Sequence, residues 1–264
     1  MSQFAPVVPL QIANHLRAQG TLGDYHLLLA HDVLTSPKTY KDVYGDIRKN
    51  GGIVIMDNSL IELGRPMDIA EMLVVFETLR PNWIVLPDHL GDYKKTMGAT
   101  CKALFDWRRL SEEQRRDVEL MGVVQGRTFE ECIGCAQWML TQAEITALCV
   151  PRVLVELLGS RMPLLTWILQ QRPEMPVHLL GFSDDVLDDV VSASMYNVMG
   201  IDSAVPVRLG LQNKRIAISE RVDAGKRGDY WDRDYGDMSF DQMVAIDTNL
   251  NLVREWIDVR YTGI

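Results

Sequence analysis

Short apolar runs recur along this 264-residue chain at a spacing that leaves few folds open. They are HLLLA (26–30), GIVIM (52–56), NWIVLP (82–87), VELMGVV (118–124), RVLVE (152–156), VHLLGF (177–182) and NVMGI (197–201), with a weaker RIAIS (215–219) after them. Each is nearly continuous in apolar, often β-branched residues, as expected of strands buried on both faces. Segments with helical spacing lie between them. MDIAEMLVVFETLR puts Ile69, Met72, Leu73 and Phe76 on one stripe. SDDVLDDVVSAS opens on Ser183 as an N-cap, with carboxylates in the first turn where the helix dipole favours them. Such alternation means a parallel sheet covered by helices. About eight units in about 250 residues predict a TIM-like (β/α)8 barrel rather than an open doubly wound sheet. No G-x-G-x-x-G follows an early strand, which weakens the dinucleotide-binding alternative. We expect a single domain over residues 1–264, with 1–22 as an N-terminal extension and 220–264 as a C-terminal helical extension.

Composition narrows the function classes. Hydrophobic residues make up 47% of the chain and charged residues 24%, which excludes disorder. No apolar run approaches the roughly 18 residues of a membrane span. The start, MSQFAPVVPLQIANHLRAQG, has no basic segment followed by an apolar one, so a cytoplasmic protein without a membrane partner is expected. The net charge of −9 argues against indiscriminate nucleic-acid binding through bulk charge. It leaves room for a local basic track from Lys94-Lys95, Arg108-Arg109, Lys214-Arg215 or Lys226-Arg227, although each pair alone reads as a solvated helix end or loop. The cysteines are Cys101, Cys132, Cys135 and Cys149. Cys132 and Cys135 form a C-x-x-C in a helical segment with no second pair or nearby histidine, so buried, reduced thiols are expected rather than zinc.

In a β/α barrel, chemistry sits at the C-terminal ends of the strands. GIVIM is followed by Asp57, NWIVLP by Asp88, ELMGVV by Gln125 and Gly126, and NVMGI by Asp202, while RVLV is followed by Glu156. Any one of them alone reads as a cap or loop residue. Together they predict a mouth crowded with like charge, where each carboxylate raises the pKa of the others. Such clusters persist mainly where chemistry or a polar ligand uses them. Paired carboxylates equip a site for glycosidic chemistry, and carboxylate with amide can read a hydrogen-bonding heterocycle. Hydrolysis, aldol chemistry and metal-assisted chemistry are equally consistent with acidic groups alone.

Three motifs narrow the choice. NVMGIDSAVPVRLG (197–210) resembles the nucleophile segment of the tRNA-guanine transglycosylases, in which an aspartate is followed by proline after four residues and arginine after six, here Asp202, Pro206 and Arg208. MGVVQG (121–126) resembles their G-[IV]-V-Q-G, whose glutamine contacts the base. IMDNS (55–59) resembles the D-S-G-G segment of the second catalytic aspartate, here Asp57, with Asn-Ser in place of Ser-Gly. VLPDHLGDY (85–93) corresponds to the strand end whose aspartate, here Asp88, reads the Watson–Crick side of guanine, and HLLGFSDDVLDDVV (178–191) to the segment before the nucleophile strand. The order agrees over roughly residues 23–212. The family's glycine pair after strand five is replaced by Val155-Glu156, and its zinc subdomain has no counterpart, since no cysteine or histidine follows Asp202. A short chain without zinc looks most like the bacteriophage members (the DpdA type), which exchange guanine in DNA for a 7-deazaguanine such as 7-cyano-7-deazaguanine and so shield phage DNA from restriction.

The resemblance implies a double displacement without a cofactor. Asp202 is the expected nucleophile and Asp57 the acid and base. Asp88, Gln125, Gly126 and Glu156 are expected to bind the base, and Arg208, Lys214 and Arg215 the nucleic acid. The partners implied are DNA, with tRNA as the alternative, a free guanine-type base, and an oligomer mate or helper protein. His89 reads as a loop histidine. RGDYWDRDYGD (227–237) either stacks on nucleotides or packs as part of the C-terminal extension. The rival from another class is a non-catalytic nucleic-acid-binding subunit, against which the presence of both Asp57 and Asp202 argues.

Overall fold

The structure, a computed structural model, describes residues 2–183, 185–195, 198–218, 230–231 and 233–258. The strands are β1 (Gln3–Pro6), β2 (Tyr25–Leu29), β3 (Ile53–Asp57), β4 (Trp83–Val85), β5 (Glu119–Val123), β6 (Ile145–Pro151), β7 (Val177–Leu180) and β8 (Gly200–Ser203). The helices are α1 (Leu10–Gln19), α2 (Ala30–Thr35), α3 (Pro37–Lys49), α4 (Leu60–Leu63), α5 (Ile69–Leu79), α6 (Tyr93–Arg108), α7 (Glu112–Arg115), α8 (Phe129–Leu140), α9 (Val153–Leu158), α10 (Met162–Gln171), α11 (Val186–Met195), α12 (Val205–Leu211) and α13 (Phe240–Asp258). The chain is an α/β protein whose strands form one parallel sheet in the order β1-β8-β7-β6-β5-β4-β3-β2, the succession of a TIM-like (β/α)8 barrel. It divides into two compact units, Leu27–His178, and Met1–His26 with Leu179–Ile264. No described helix is long and apolar enough to cross a membrane.

In the unit Leu27–His178, register sets where the strands end. Ile55 pairs with Trp83, Val85 with Met121, and Val123 with Cys149. Residues following β3, β4 and β5 therefore emerge along one edge. The covering helices start where local chemistry stops competing structures. Asp68 caps α5 by accepting from Glu71 N–H, and the Glu71 carboxylate accepts from Asp68 N–H, both at 2.9 Å. This face buries Ile69, Met72, Val75, Phe76 and Leu79, and leaves Leu73 only half-buried at its margin. The segment 152–156, expected as a strand, is helical: ITALCVP forms β6 and Val153–Leu158 is α9. Two β-branched valines imitated a strand, but Gly159 at φ +82° closes a short helix instead.

In the other unit, residues 2–22 hold the first β/α pair, where an extension over 1–22 was expected. β1 pairs with β8, Ala5 opposite Asp202. α13 lies within the segment expected as the C-terminal extension and packs against α12, α11 and β1. Gly210 permits this, since a Cβ there would stand 2.6 Å from Ile246. Asn249 of α13 donates to Pro206 O at 3.0 Å and Lys214 O at 2.9 Å, and accepts from Ile216 N–H at 2.9 Å. Ile216 is thus tied to a side chain rather than a ladder, and residues 215–217 of the predicted strand 215–219 are irregular; Ser219 lies outside the described residues. The helix at 186 is capped by Asp185, which accepts from Asp188 N–H at 3.0 Å, whereas Ser183 binds the Asp189 carboxylate. Asn197, the start of the NVMGI run, also lies outside the described residues.

Candidate active site

Three consecutive strand ends in the unit Leu27–His178 converge on one carboxylate. Asp88 follows β4 and is 5% exposed. Its Oδ1 accepts from Asn58 Nδ2 at 2.8 Å, and its Oδ2 accepts from Gln125 Nε2 at 2.6 Å. Asn58 follows β3 and Gln125 follows β5, and both are buried. Burial pushes the Asp88 carboxyl above its usual range, while the Asn58 and Gln125 donors and the nearby His89 hold it down in part.

Both carboxamides are anchored at their other end. Asn58 Nδ2 also donates to Leu86 O at 2.9 Å, and Asn58 Oδ1 accepts from Leu60 N–H at 3.0 Å. Gln125 Oε1 accepts from Gly91 N–H at 3.0 Å. Gly91 sits at φ +63° where the loop from β4 turns toward α6. Thr96 staples the same loop, its hydroxyl accepting from His89 N–H at 2.9 Å and donating to His89 O at 3.2 Å. The sequence singled out Asp88 and Gln125 but not Asn58. Its only signal was Asn-Ser standing where the resembled motif has Ser-Gly.

Asp57, at the end of β3, is half-buried, and its Oδ2 accepts from Ser59 N–H at 2.7 Å. Ser59 adopts φ +60°, a left-handed conformation that glycine takes without steric cost. The Ser59 hydroxyl accepts from His31 N–H at 3.3 Å, and His31 Nε2 lies 3.3 Å from Asp32. A histidine–carboxylate pair after β2 therefore neighbours the Asp57 segment, which no spacing in the sequence announced. Arg161 was also missed. It is fully buried and donates to Val150 O near the end of β6 at 3.1 Å.

The other two base-binding candidates lie on or just before helices. Glu156 is exposed on α9 rather than at a strand end. Gly126 is required by packing: a Cβ would meet Cys132 N at 2.7 Å and its Sγ at 2.9 Å as α8 begins. Burial raises the Cys132 thiol to about 12 and the Cys135 thiol to about 11, so both are protonated at neutral pH. Among the described residues, no group of three or more His, Cys, Asp or Glu is placed to hold a metal ion.

In the other unit, Asp202 lies within β8, 8% exposed, and its Oδ1 accepts from Gly181 N–H at 3.0 Å. Gly181 is at φ +75°, the conformation that aims this N–H. Gly200, two residues earlier, leaves space for the Tyr25 ring, which a Cβ would approach within 2.4 Å. Arg208 is half-buried in α12, and Lys214 and Arg215 are exposed after it. Of the aromatic stretch 227–237, Tyr230 and Tyr235 are buried: Tyr230 donates to Val7 O at 2.9 Å and Tyr235 to Tyr230 O at 2.7 Å. These two rings pack rather than face a nucleotide. Residues 227–229 and Asp232 of that stretch lie outside the described residues, as do Lys226 and Arg227.

At the opposite, N-terminal ends of β3 to β5 is an open cleft of about 790 Å3 lined by equal numbers of basic and acidic side chains. Arg48 crosses it to donate to Asp117 O at 2.6 Å. Barrel chemistry is built at the other rim, where Asp57, Asp88 and Gln125 lie. Compared with known proteins, the chain matches no family model and no curated sequence.

Proposed function

We propose that the protein is a guanine transglycosylase that exchanges guanine in DNA for a 7-deazaguanine, of which 7-cyano-7-deazaguanine is the leading candidate. The observation that carries the proposal is Asp88, a buried carboxylate with each oxygen already holding one amide donor. Each oxygen keeps acceptor capacity, so the carboxylate suits a planar edge with two adjacent N–H donors, as guanine presents at N1 and its 2-amino group. The motif resemblance supplies the rest of the chemistry.

In the proposed reaction a carboxylate oxygen of Asp202 attacks C1′ of the deoxyribose. The C1′–N9 bond breaks, guanine leaves with the bonding electrons, and the Asp57 carboxyl protonates it. The resulting glycosyl ester is opened by the incoming base: Asp57 removes its N9 proton, N9 attacks C1′, and Asp202 is released as carboxylate. The target nucleotide has to leave the base stack to reach a buried carboxylate. Arg208, Lys214 and Arg215 are the proposed phosphate partners.

The test is incorporation of labelled guanine and 7-cyano-7-deazaguanine into DNA and, in parallel, tRNA, with Asp202→Ala as control. Incorporation into DNA alone, lost in the variant, is expected. Incorporation into tRNA alone keeps the chemistry and overturns the choice of polymer. A folded, nucleic-acid-binding protein that incorporates into neither overturns the enzyme assignment in favour of a binding subunit.

A further inference from the structure

We propose that Asn58 and Gln125 are positioning residues that present the Asp88 carboxylate to a ligand. The inference rests on the guanine-exchange reading for its ligand but not for its geometry. Gln125 is completely buried, and both ends of its carboxamide are committed, Nε2 to Asp88 and Oε1 to Gly91 N–H. Each end of the Gln125 carboxamide keeps one further hydrogen-bonding site, so its hold on Asp88 does not depend on whether the amide also meets the base. Asn58 is committed in the same way, to Asp88, Leu86 O and Leu60 N–H. The two amides approach different oxygens of one carboxylate, so they fix its position and the rotation of its plane. Rotation decides whether both oxygens lie in the plane of a donor–donor edge, which makes Asn58 a determinant of base discrimination without touching the base. Asn58 also ties the end of β3 to the end of β4, and Gln125 ties β5 to the loop after β4, so the carboxylate is set by three strands at once.

The experiment has two arms on the full chain. The first follows the Asp88 carboxyl by carbon NMR, assigned with Asp88→Asn, in the wild type, Asn58→Leu and Gln125→Leu. Loss of either donor is expected to raise the midpoint, because each hydrogen bond favours the ionised form. His89 on the same loop and Cys135 from α8 are the other titratable groups that sense this carboxylate, and they are unchanged in these variants. Superimposable titrations overturn the positioning role whether or not the protein exchanges guanine.

The second arm measures guanine exchange. Asn58→Leu is expected to raise KM for guanine about tenfold while kcat stays within about threefold, since a hydrogen bond to a charged group is lost outside the reacting atoms. Asn58→Asp keeps the shape and guards against misfolding. Its added carboxyl donates to Asp88 only when protonated, so KM is expected to recover toward the wild-type value at acid pH and worsen as pH rises. An Asn58→Asp profile parallel to wild type overturns the proposal. A wild type that neither binds nor exchanges guanine refutes the function proposed above and leaves the titration arm to decide the positioning role.

Discussion

Asp88 and Asp202 are buried to similar depth, 5% and 8% exposed, and side-chain donors reach the first while a backbone donor reaches the second. Asp88 takes side-chain amides from neighbouring strand ends, whereas Asp202 takes the backbone N–H of Gly181. A side-chain clamp is adjustable residue by residue, as the proposed discrimination among bases requires. A backbone donor changes only if the turn itself changes. The units that carry them also bury titratable groups of opposite pH response. His26, in the unit of Asp202, is lowered from 6.5 to about 4, first by burial and further by Arg254, while its ring donates to Gly23 O at 2.8 Å. Asp88 is raised instead.

The largest expected effect separates the two carboxylates by task. Asp202→Asn should lower exchange at least about a thousandfold, as loss of a nucleophile does, with folding intact by circular dichroism. Full exchange activity in this variant would show that Asp202 is not the nucleophile. Next comes acid stability. The neutral His26 of the folded state stabilises fully above pH 6.5, and that stabilisation is lost as pH falls from 6.5 toward 4, up to about 3 kcal/mol. Urea unfolding across this range should show the loss in the wild type and a flatter curve in His26→Gln. Equal slopes would place the acid sensitivity elsewhere.

Gly126→Ala comes third. The new methyl has to displace the start of α8, costing about 1–3 kcal/mol in thermal unfolding. A variant as stable as wild type but deficient in guanine binding would support the role the resemblance implied for Gly126. A smaller drift is expected for Asp88→Asn. Because the folded carboxyl titrates above the unfolded value of 3.8, the wild type loses stability as pH rises through that interval, and the variant does not. The stability difference between them should therefore move in favour of the variant with rising pH. The smallest effect is that of Glu156→Ala on exposed α9: stability within about 0.5 kcal/mol of wild type and unchanged exchange kinetics. A large loss of guanine affinity would make it a base contact.

Periodicity and a few end residues determined much of this protein. Continuous apolar runs separated by helical segments were enough for the parallel α/β class, because a strand buried on both faces leaves no polar alternation. The polar residue after GIVIM, NWIVLP and ELMGVV was equally legible, since the apolar demand stops where the strand meets solvent. Shorter signals failed where two structures share them. Val153 and Val155 suit strand and helix alike, and only the pairing of ITALCVP with β5 made β6 the strand, which puts Glu156 on the short helix after it. QFAP carried too few apolar residues to register as β1, yet pairing with β8 buries Phe4 and Ala5. Tertiary structure alone decided which side chains share a hydrogen bond. Asn58, Asp88 and Gln125 lie 30 and 37 residues apart in the pairs they form, distances over which no local pattern operates. Parallel register brings those strand ends together, and burial then obliges each carboxamide and the carboxylate to find partners in one another.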